Sequence, residues 1–253
     1  MGYFVKRRDP AIPGSIPDVL GSFHSEVLFY REVAPVVGVR VPACHLSEDG
    51  PSGTCLVLED LSTWHPGADP LEAARLLADL HRRWQGQAAM RWPWLRPVGA
   101  GADVVGRLFD RTWSVLVGCR DVPPPVRRLG ERLVGRVAAA ARAEGTAGPA
   151  TLLHGDASLS NCRTSTDAEI ALLDWEDVRA GAGVADLAWL LLSSVEPARW
   201  DEVVAAYGPA PGLSTVIPAT TCQALLSLAD TATGSAEEAA WISRITAAGT
   251  LLA

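Results

Sequence analysis

Apolar residues in the first sixty positions form short β-favouring runs around one amphipathic segment. Residues 2–6 predict a short strand, and residues 19–36 repeat apolar side chains at helical spacing. Two further apolar runs, 39–46 and 54–58, flank a glycine- and proline-containing turn signal at 49–53, which is the pattern of a β-hairpin. The chain is therefore predicted to open in the order strand, helix, hairpin.

The rest of the chain is predicted to be mainly helical. Apolar residues at helical spacing predict helices over 71–84, 104–117 and 126–141, and helical patterns return towards the C-terminus. Two short apolar runs, 151–154 and 170–174, predict strands inside this helical half. The pattern indicates an α+β protein with its strands in small groups.

A polar segment joins the two regions. Glu59 leads into a stretch that contains Pro66, Gly67 and Pro70, and such residues mark loops rather than helices or strands. We therefore predict two domains, a small mixed domain over residues 1–62 and a larger helical domain over residues 63–253.

Composition and charge narrow the function classes. The chain has 253 residues, of which 48% are hydrophobic, so a buried core is expected. Its net charge of −7 argues against a nucleic-acid partner, since such proteins usually present a basic face. The sequence has neither an apolar run of membrane-spanning length nor a signal-peptide pattern, so no membrane partner and a cytoplasmic location are expected. Its five cysteines form no C-x-x-C pair, which indicates neither a zinc site nor a disulfide framework.

One segment carries residues that suit phosphoryl transfer. His154, Asp156 and Asn161 have the spacing H-x-D-x4-N, and Asp174 follows 13 residues after Asn161, at the end of a predicted strand. Phosphoryl transfer needs an acceptor for the proton of a nucleophilic hydroxyl, oxygen ligands for Mg²⁺, and positive charge near the transferred group. An aspartate early in the loop suits the first task, and an amide oxygen with a second carboxylate suits the next.

These motifs resemble those of a known family. The sequence HGDASLSN at 154–161 and the sequence LLDWE at 172–176 are similar to the catalytic and metal-binding motifs of aminoglycoside phosphotransferases and choline kinases. The segments at 25–30, 56–61 and 80–81 resemble the family's glutamate helix, inter-lobe hinge and post-hinge helix. The resemblance implies a two-lobe protein-kinase-like fold with a truncated small N-terminal lobe and a mainly helical C-terminal lobe. It also implies ATP-dependent phosphorylation of a hydroxyl on an aminoglycoside-, amino-alcohol- or sugar-like small molecule.

The resemblance also implies roles for single residues of the catalytic segment. Asp156 corresponds to the catalytic base, and Asn161 and Asp174 correspond to the ligands of Mg²⁺. Glu176 is expected to assist the metal site. Asp186, in the sequence VADLAW, resembles a carboxylate near the catalytic loop, and we interpret it as structural.

In the nucleotide-binding region, Lys6 corresponds to the residue that contacts the ATP phosphates. It is the single lysine among 22 basic residues, and a compact ammonium differs from a planar guanidinium at a phosphate site. Glu26 is the expected partner of Lys6, with Glu32 as the competing candidate. Glu59 and Leu61, in the hinge-like segment, are expected to contact the nucleotide.

The sequence departs from the family pattern at one place. Family members cover the nucleotide phosphates with a hairpin before the lysine strand, and five residues precede Lys6. Weak ATP binding is expected from this form, and a catalytically impaired metabolite-binding protein is the alternative function. A hydrolase using His154 with Ser158 or Ser160 is a third hypothesis, against which the missing G-x-S-x-G motif argues.

Overall fold

An antiparallel sheet of three strands opens the fold. In the computed structural model, which describes residues 2–251, β1 (Tyr3–Arg8) pairs with β3 (Gly53–Glu59), and β3 also pairs with β2 (Cys44–Gly50). Gly53 has a φ of +104°, and a Cβ atom there would lie 2.0 Å from the carbonyl oxygen of Arg8. The tight turn of the hairpin therefore requires glycine at this position. The predicted order of strand, helix and hairpin is confirmed.

Residues 39–43 of the predicted run 39–46 are not part of the hairpin. Arg40 instead forms a bridge to Ala171, and its carbonyl accepts a hydrogen bond of 2.9 Å from the backbone N–H of Leu172. This segment therefore connects the first sheet to the second region of the fold. The apolar character of residues 39–43 comes from packing there and not from hairpin pairing.

The predicted helix over 19–36 is wrong in its continuity. The structure has α1 (Ile16–Leu20), α2 (Ser22–Leu28) and a π-helical turn over Phe29–Val33. Gly21 separates α1 from α2 with a φ of +62°, a left-handed conformation that glycine adopts without strain. Helical periodicity continues across such a break, so it did not reveal the boundary.

The remaining helices form most of the second region. They are α3 (Pro70–Trp84), α4 (Ala88–Arg91), α5 (Ala102–Cys119), α6 (Pro124–Leu133), α7 (Val137–Glu144), α8 (Val184–Ser194), α9 (Trp200–Tyr207), α10 (Leu213–Asp230) and α11 (Ala236–Thr250). Asp69 caps α3 by accepting a 2.9 Å hydrogen bond from the backbone N–H of Leu71. The single helix predicted over 126–141 is two helices, because Gly135 adopts a φ of +69° between them.

Two small sheets lie among these helices. One has the order β4 (His65–Pro66), β7 (Cys162–Thr164), β8 (Ile170–Leu172), and the other has the order β5 (Arg96–Pro97), β9 (Arg179–Ala182), β6 (Ala150–Leu153). The predicted strands at 151–154 and 170–174 are confirmed as β6 and β8. The other strands of these sheets, β4, β5, β7 and β9, were not predicted, because they lack the continuous apolar residues that marked β6 and β8.

The core of the second region surrounds α8, in which residues 184–192 are all buried. The fold is the predicted α+β, two-lobe arrangement with a mainly helical C-terminal part. The predicted division at residue 62 falls between β3 and β4, and this division stays a prediction. Within residues 2–251, no helix combines the length and apolar character needed to cross a membrane.

Candidate active site

The loop between β6 and β7, residues 154–161, is the predicted catalytic loop. Its Asp156 is held by both of its carboxylate oxygens. One oxygen accepts a 2.5 Å hydrogen bond from the indole N–H of Trp189, and the other accepts a 2.8 Å bond from the side-chain amide of Asn161. The Asn161 amide also donates to the backbone carbonyl of Asp156, at 3.0 Å. The spacing of five residues between Asp156 and Asn161 therefore closes the loop on itself and leaves the Asn161 amide oxygen free of these contacts.

Asp186, on α8, anchors this loop. Its carboxylate accepts hydrogen bonds from the backbone N–H groups of His154, at 2.7 Å, and Gly155, at 3.0 Å, and from His81 Nε2 at 3.1 Å. Burial raises the pKa of Asp186, but the His81 hydrogen bond and the other donors outweigh burial and lower it overall. Tyr207 lies 2.9 Å from His81 Nδ1 and fixes the other side of that ring. The structural interpretation of Asp186 agrees with these contacts.

Gly155 allows the loop to approach the chain that follows Asp174. Its φ is +87°, and a Cβ atom at this position would lie 2.0 Å from the carbonyl oxygen of Asp177. A side chain here would collide with backbone, which cannot move cheaply. The glycine of the HGD sequence is therefore required by packing as well as by its dihedral angle.

Replacing Asp186 with asparagine is expected to lower the free energy of unfolding by about 2–4 kcal/mol. An asparagine amide would turn an N–H₂ group towards partners that are all donors. The N–H groups of His154 and Gly155 would also lose a charged acceptor. Urea denaturation followed by circular dichroism measures the change. Asp79→Asn serves as the control, since Asp79 forms an exposed pair with Arg82 on α3 and is expected to contribute under about 1 kcal/mol. Equal effects of the two substitutions would contradict the anchoring role.

Asp174 lies in a left-handed turn immediately after β8, with a φ of +59°. The preceding Leu173 connects this turn to the catalytic loop, because its N–H donates to the Asn161 carbonyl at 2.8 Å. The carbonyl of Leu173 also accepts a 2.8 Å hydrogen bond from His154 Nε2. The His154 ring is thus committed to positioning, with Nδ1 accepting from the N–H of Asp156 at 3.2 Å.

Trp175 connects the same turn to the N-terminal part of the fold. Its ring is fully buried and stacks on Phe29, with centroids 4.0 Å apart and planes 9° from parallel. The His154 ring lies 4.4 Å away on the indole. Phe29 begins the π-helical turn that continues α2, so this stack joins the end of α2 to both the catalytic loop and the turn of Asp174.

Lys6 on β1 lies within a group of three carboxylates. Its ammonium contacts Glu26 at 2.7 Å, Asp174 at 2.6 Å and Glu176 at 3.4 Å. Burial raises the pKa of Glu26 to about 7, against the opposing effect of Lys6. Burial lowers the pKa of Lys6, but Glu26 and Asp174 outweigh it and raise that pKa overall, so Lys6 stays charged. Of the two candidate partners, Glu26 is the one in contact.

Glu32 has a different contact. Its carboxylate accepts a 2.9 Å hydrogen bond from the indole N–H of Trp94. Within residues 2–251, Lys6 therefore forms no ion pair with Glu32.

The hinge-like segment borders the site with Glu59 and Leu61. The Glu59 carboxylate is bound by Arg40 at 2.6 Å through both oxygens and by the N–H of Ala43 at 3.0 Å. Leu61 is buried. The side chain of Glu59 is therefore occupied, and its N–H also donates to the carbonyl of Ala43, at 2.8 Å. A nucleotide contact from Glu59 stays a prediction.

A cleft of about 610 Å³ joins these residues. It is lined by residues of β1, the hinge-like segment, the catalytic loop and the turn of Asp174, among them Lys6, Glu26, Glu59, Leu61, Asn161 and Asp174. Asp156 is connected to the cleft through its hydrogen bond with Asn161. The structure thus brings every sequence-predicted site residue to this cleft or within one hydrogen bond of it.

The sequence of the chain matches a known protein family. A model of the phosphotransferase enzyme family matches residues 2–220. The chain belongs to this family. A search of curated protein sequences gave no significant match.

Solved structures of two phosphotransferases and a choline kinase share the fold. An aminoglycoside phosphotransferase from Streptomyces rimosus, in complex with ADP and streptomycin, is similar with 18% identity and a TM-score of 0.59, over 87% of this chain and 85% of that one. The choline kinase of Streptococcus pneumoniae has 15% identity and a TM-score of 0.58, over 98% and 86%. A macrolide 2'-phosphotransferase from Brachybacterium faecium has 20% identity and a TM-score of 0.51, over 97% and 83%. These similarities confirm a protein-kinase-like fold for this phosphotransferase.

Trp189 is the residue of the site that sequence reasoning missed. It lies on α8, three residues after Asp186, and its only signal was membership of the sequence VADLAW. One helical turn brings Trp189 and Asp186 to the same side of α8. Asp186 thus holds the backbone of the loop of this phosphotransferase while Trp189 holds the Asp156 carboxylate.

Proposed function

We propose that this member of the phosphotransferase family transfers the γ-phosphoryl group of ATP to a hydroxyl of a small molecule. The observation that carries the proposal is the Asp156 carboxylate, held by two donors on a loop that also borders the cleft of Lys6 and Asp174. Such transfer depends mostly on positioning and on charge neutralisation. ATP use and the absence of disulfide bonds among the described cysteines fit the cytoplasm, where we propose that it acts.

The donor atoms fit magnesium. Asp174 offers a carboxylate, and Asn161 offers an amide oxygen because its N–H₂ group is directed to Asp156. Hard oxygen donors of this kind are the ligands that Mg²⁺ takes beside nucleotide phosphates. A group of Glu26, Asp174 and Glu176 also lies within 4.8 Å, but Lys6 already neutralises part of it. When bound, Mg²⁺ would neutralise phosphate charge and orient the nucleotide.

The residues of the chain supply the remaining steps. Asp156 accepts the proton of the acceptor hydroxyl while the bond from that oxygen to the γ-phosphorus forms and the bond to the ADP oxygen breaks. The Trp189 and Asn161 hydrogen bonds keep the carboxylate oriented. Lys6, held by Glu26, places positive charge in the cleft for the phosphates.

The hydrolase hypothesis has no support in the loop geometry. Both ring nitrogens of His154 are engaged by the backbone, and the hydroxyls of Ser158 and Ser160 lie 2.7 Å from each other. A serine nucleophile that uses His154 as its base needs a ring nitrogen of His154 within hydrogen-bond reach. Neither serine has that arrangement.

Labelling of Lys6 tests the nucleotide proposal. An acyl-phosphate derivative of ATP is expected to acylate Lys6, since its ammonium lines the cleft and it is the only lysine in the sequence. Excess Mg·ATP is expected to protect it at least tenfold, as measured by peptide mass spectrometry. The N-terminal amine of the same molecules is the internal control and should label equally in both conditions. Equal labelling of Lys6 with and without Mg·ATP would contradict the proposal.

A further inference from the structure

A second cavity, of about 310 Å³, adjoins the catalytic loop. It shares no lining residue with the cleft of Lys6. Trp189 lines this cavity, and its indole N–H is the group that binds Asp156. Asp177, whose carbonyl packs against Gly155, lines it as well. A molecule in this cavity would therefore lie against the Trp189 ring, whose N–H binds the Asp156 carboxylate.

Two arginines line the cavity side by side. Arg96 on β5 and Arg179 on β9 are directly paired in the parallel register of the two strands. Arg179 is also paired with Leu153 on β6, three residues before Asp156. The small sheet thus places the two arginines on neighbouring strands, and Arg179 beside the strand that leads into the loop of Asp156.

The donors of these arginines are incompletely used. Within residues 2–251, the buried Arg96 Nε and Nη2 atoms and the buried Arg179 Nε atom have no hydrogen-bond partner. Three carboxylates also line the cavity. Asp177 is the partner of Arg96 and Glu144 that of Arg179, but both lie 3.8 Å away, beyond hydrogen-bond distance. The third, Glu176, is already paired with Lys6 and Arg8. Burial, and then the charge of Arg179, lowers the pKa of Arg96. Buried donors without partners are costly, and natural proteins usually satisfy them.

We infer that Arg96 and Arg179 bind an anionic group, a carboxylate or a phosphate, of the molecule that receives the phosphoryl group. A planar guanidinium pairs with either group through two parallel hydrogen bonds. Apolar side chains form much of the remaining wall, among them Val98, Val105, Leu108 and Leu226. The acceptor is therefore a hydroxylated organic anion with a compact apolar body, rather than a polyamine. The inference rests on the proposed function for the role of this molecule as acceptor.

Binding of four matched probes tests the inference. The probes are 4-hydroxybutyrate, 4-hydroxybutyl phosphate, 1,4-butanediol and 4-aminobutanol. All four have a four-carbon body with a terminal hydroxyl, and they differ in the charge of the other end. Each is titrated calorimetrically at constant ionic strength, with a non-hydrolysable ATP analogue and Mg²⁺ in excess to occupy the first cleft. At least one anionic probe is expected to bind about tenfold more tightly than butanediol, because charged hydrogen bonds replace unused donors. Comparison of the two anionic probes distinguishes carboxylate from phosphate.

Variants assign the binding to the arginines. Arg96→Gln is expected to weaken binding of the anionic probe at least tenfold without changing the binding of butanediol. Arg96→Lys should restore part of the affinity for the anionic probe. Arg128→Gln, at an exposed position of α6 outside both cavities, is the matched control and should behave like the parent protein. Arg179→Gln provides a second test if Arg96→Gln does not fold.

Three results would overturn the inference. They are tightest binding of aminobutanol, equal or absent binding of all four probes, and undiminished anion binding in both arginine variants. Failure of the proposed function is seen separately, as Lys6 labelling that Mg·ATP does not reduce. The calorimetric comparison of the parent protein with Arg96→Gln does not depend on phosphoryl transfer.

Discussion

Replacing Asp156 with asparagine is expected to lower the rate of phosphotransfer by about 10²–10⁴-fold, the range typical for loss of general base catalysis. The substitution keeps the size of the side chain and removes its ability to accept the hydroxyl proton. It also turns an N–H₂ group towards Trp189 or Asn161, both of which donate to this carboxylate. The measurement is ADP release at saturating ATP and acceptor.

Asp167→Asn is the matched control for this experiment. Asp167 is an exposed aspartate in the turn between β7 and β8 and lies outside both cavities. Its substitution should leave turnover within about twofold of the parent rate, as expected for a surface position without such contacts. Thermal melting of both variants checks that the fold is intact. An Asp156→Asn protein that keeps half of the parent turnover would show that Asp156 is not the base.

Replacing Asp174 with alanine is expected to abolish the Mg²⁺-dependent part of ATP binding, a loss of about two orders of magnitude or more in affinity. The carboxylate faces the cleft from a turn that the backbone of Leu173 fixes to Asn161. Removing it takes away the charged oxygen donor of the proposed metal site. Calorimetric titration with ATP in the presence and absence of Mg²⁺ measures the effect.

Two comparison variants separate metal binding from folding. Asp174→Asn keeps a residue type that tolerates the φ of +59°, so its loss of Mg·ATP affinity cannot be assigned to the backbone. Glu176→Ala removes a carboxylate of the same group around Lys6 and should weaken Mg·ATP less. Unchanged Mg·ATP affinity in both Asp174 variants would rule out the assignment. A larger loss in Glu176→Ala would move the metal towards Glu26 and Glu176.

The sequence predicted those parts of the protein in which the chemistry of the site fixes the spacing between residues. The interval between Asp156 and Asn161 is set by a loop that closes on itself, and the glycine between His154 and Asp156 is set by a backbone collision with Asp177. The single lysine was informative because its amine differs from guanidinium at a phosphate site. The fold class followed from these motifs together with the early strand, helix and hairpin.

The parts that sequence did not predict depend on partners distant along the chain. Trp189 donates to a carboxylate 33 residues earlier, and nothing in its local pattern distinguishes it from a core tryptophan. Arg96 and Arg179 become neighbours through strands of two and four residues, which are too short to show periodicity. The breaks at Gly21 and Gly135 were hidden because apolar spacing continues across them.

The stack of Phe29, Trp175 and His154 restricts how the protein can be regulated. Moving α2 outward would separate two buried aromatic rings that are 4.0 Å apart, at a cost of several kcal/mol in lost burial and stacking. The same movement would separate Glu26 from Lys6 and disturb the His154 contact beneath the loop. Swinging this helix is therefore a poor means of switching the enzyme off.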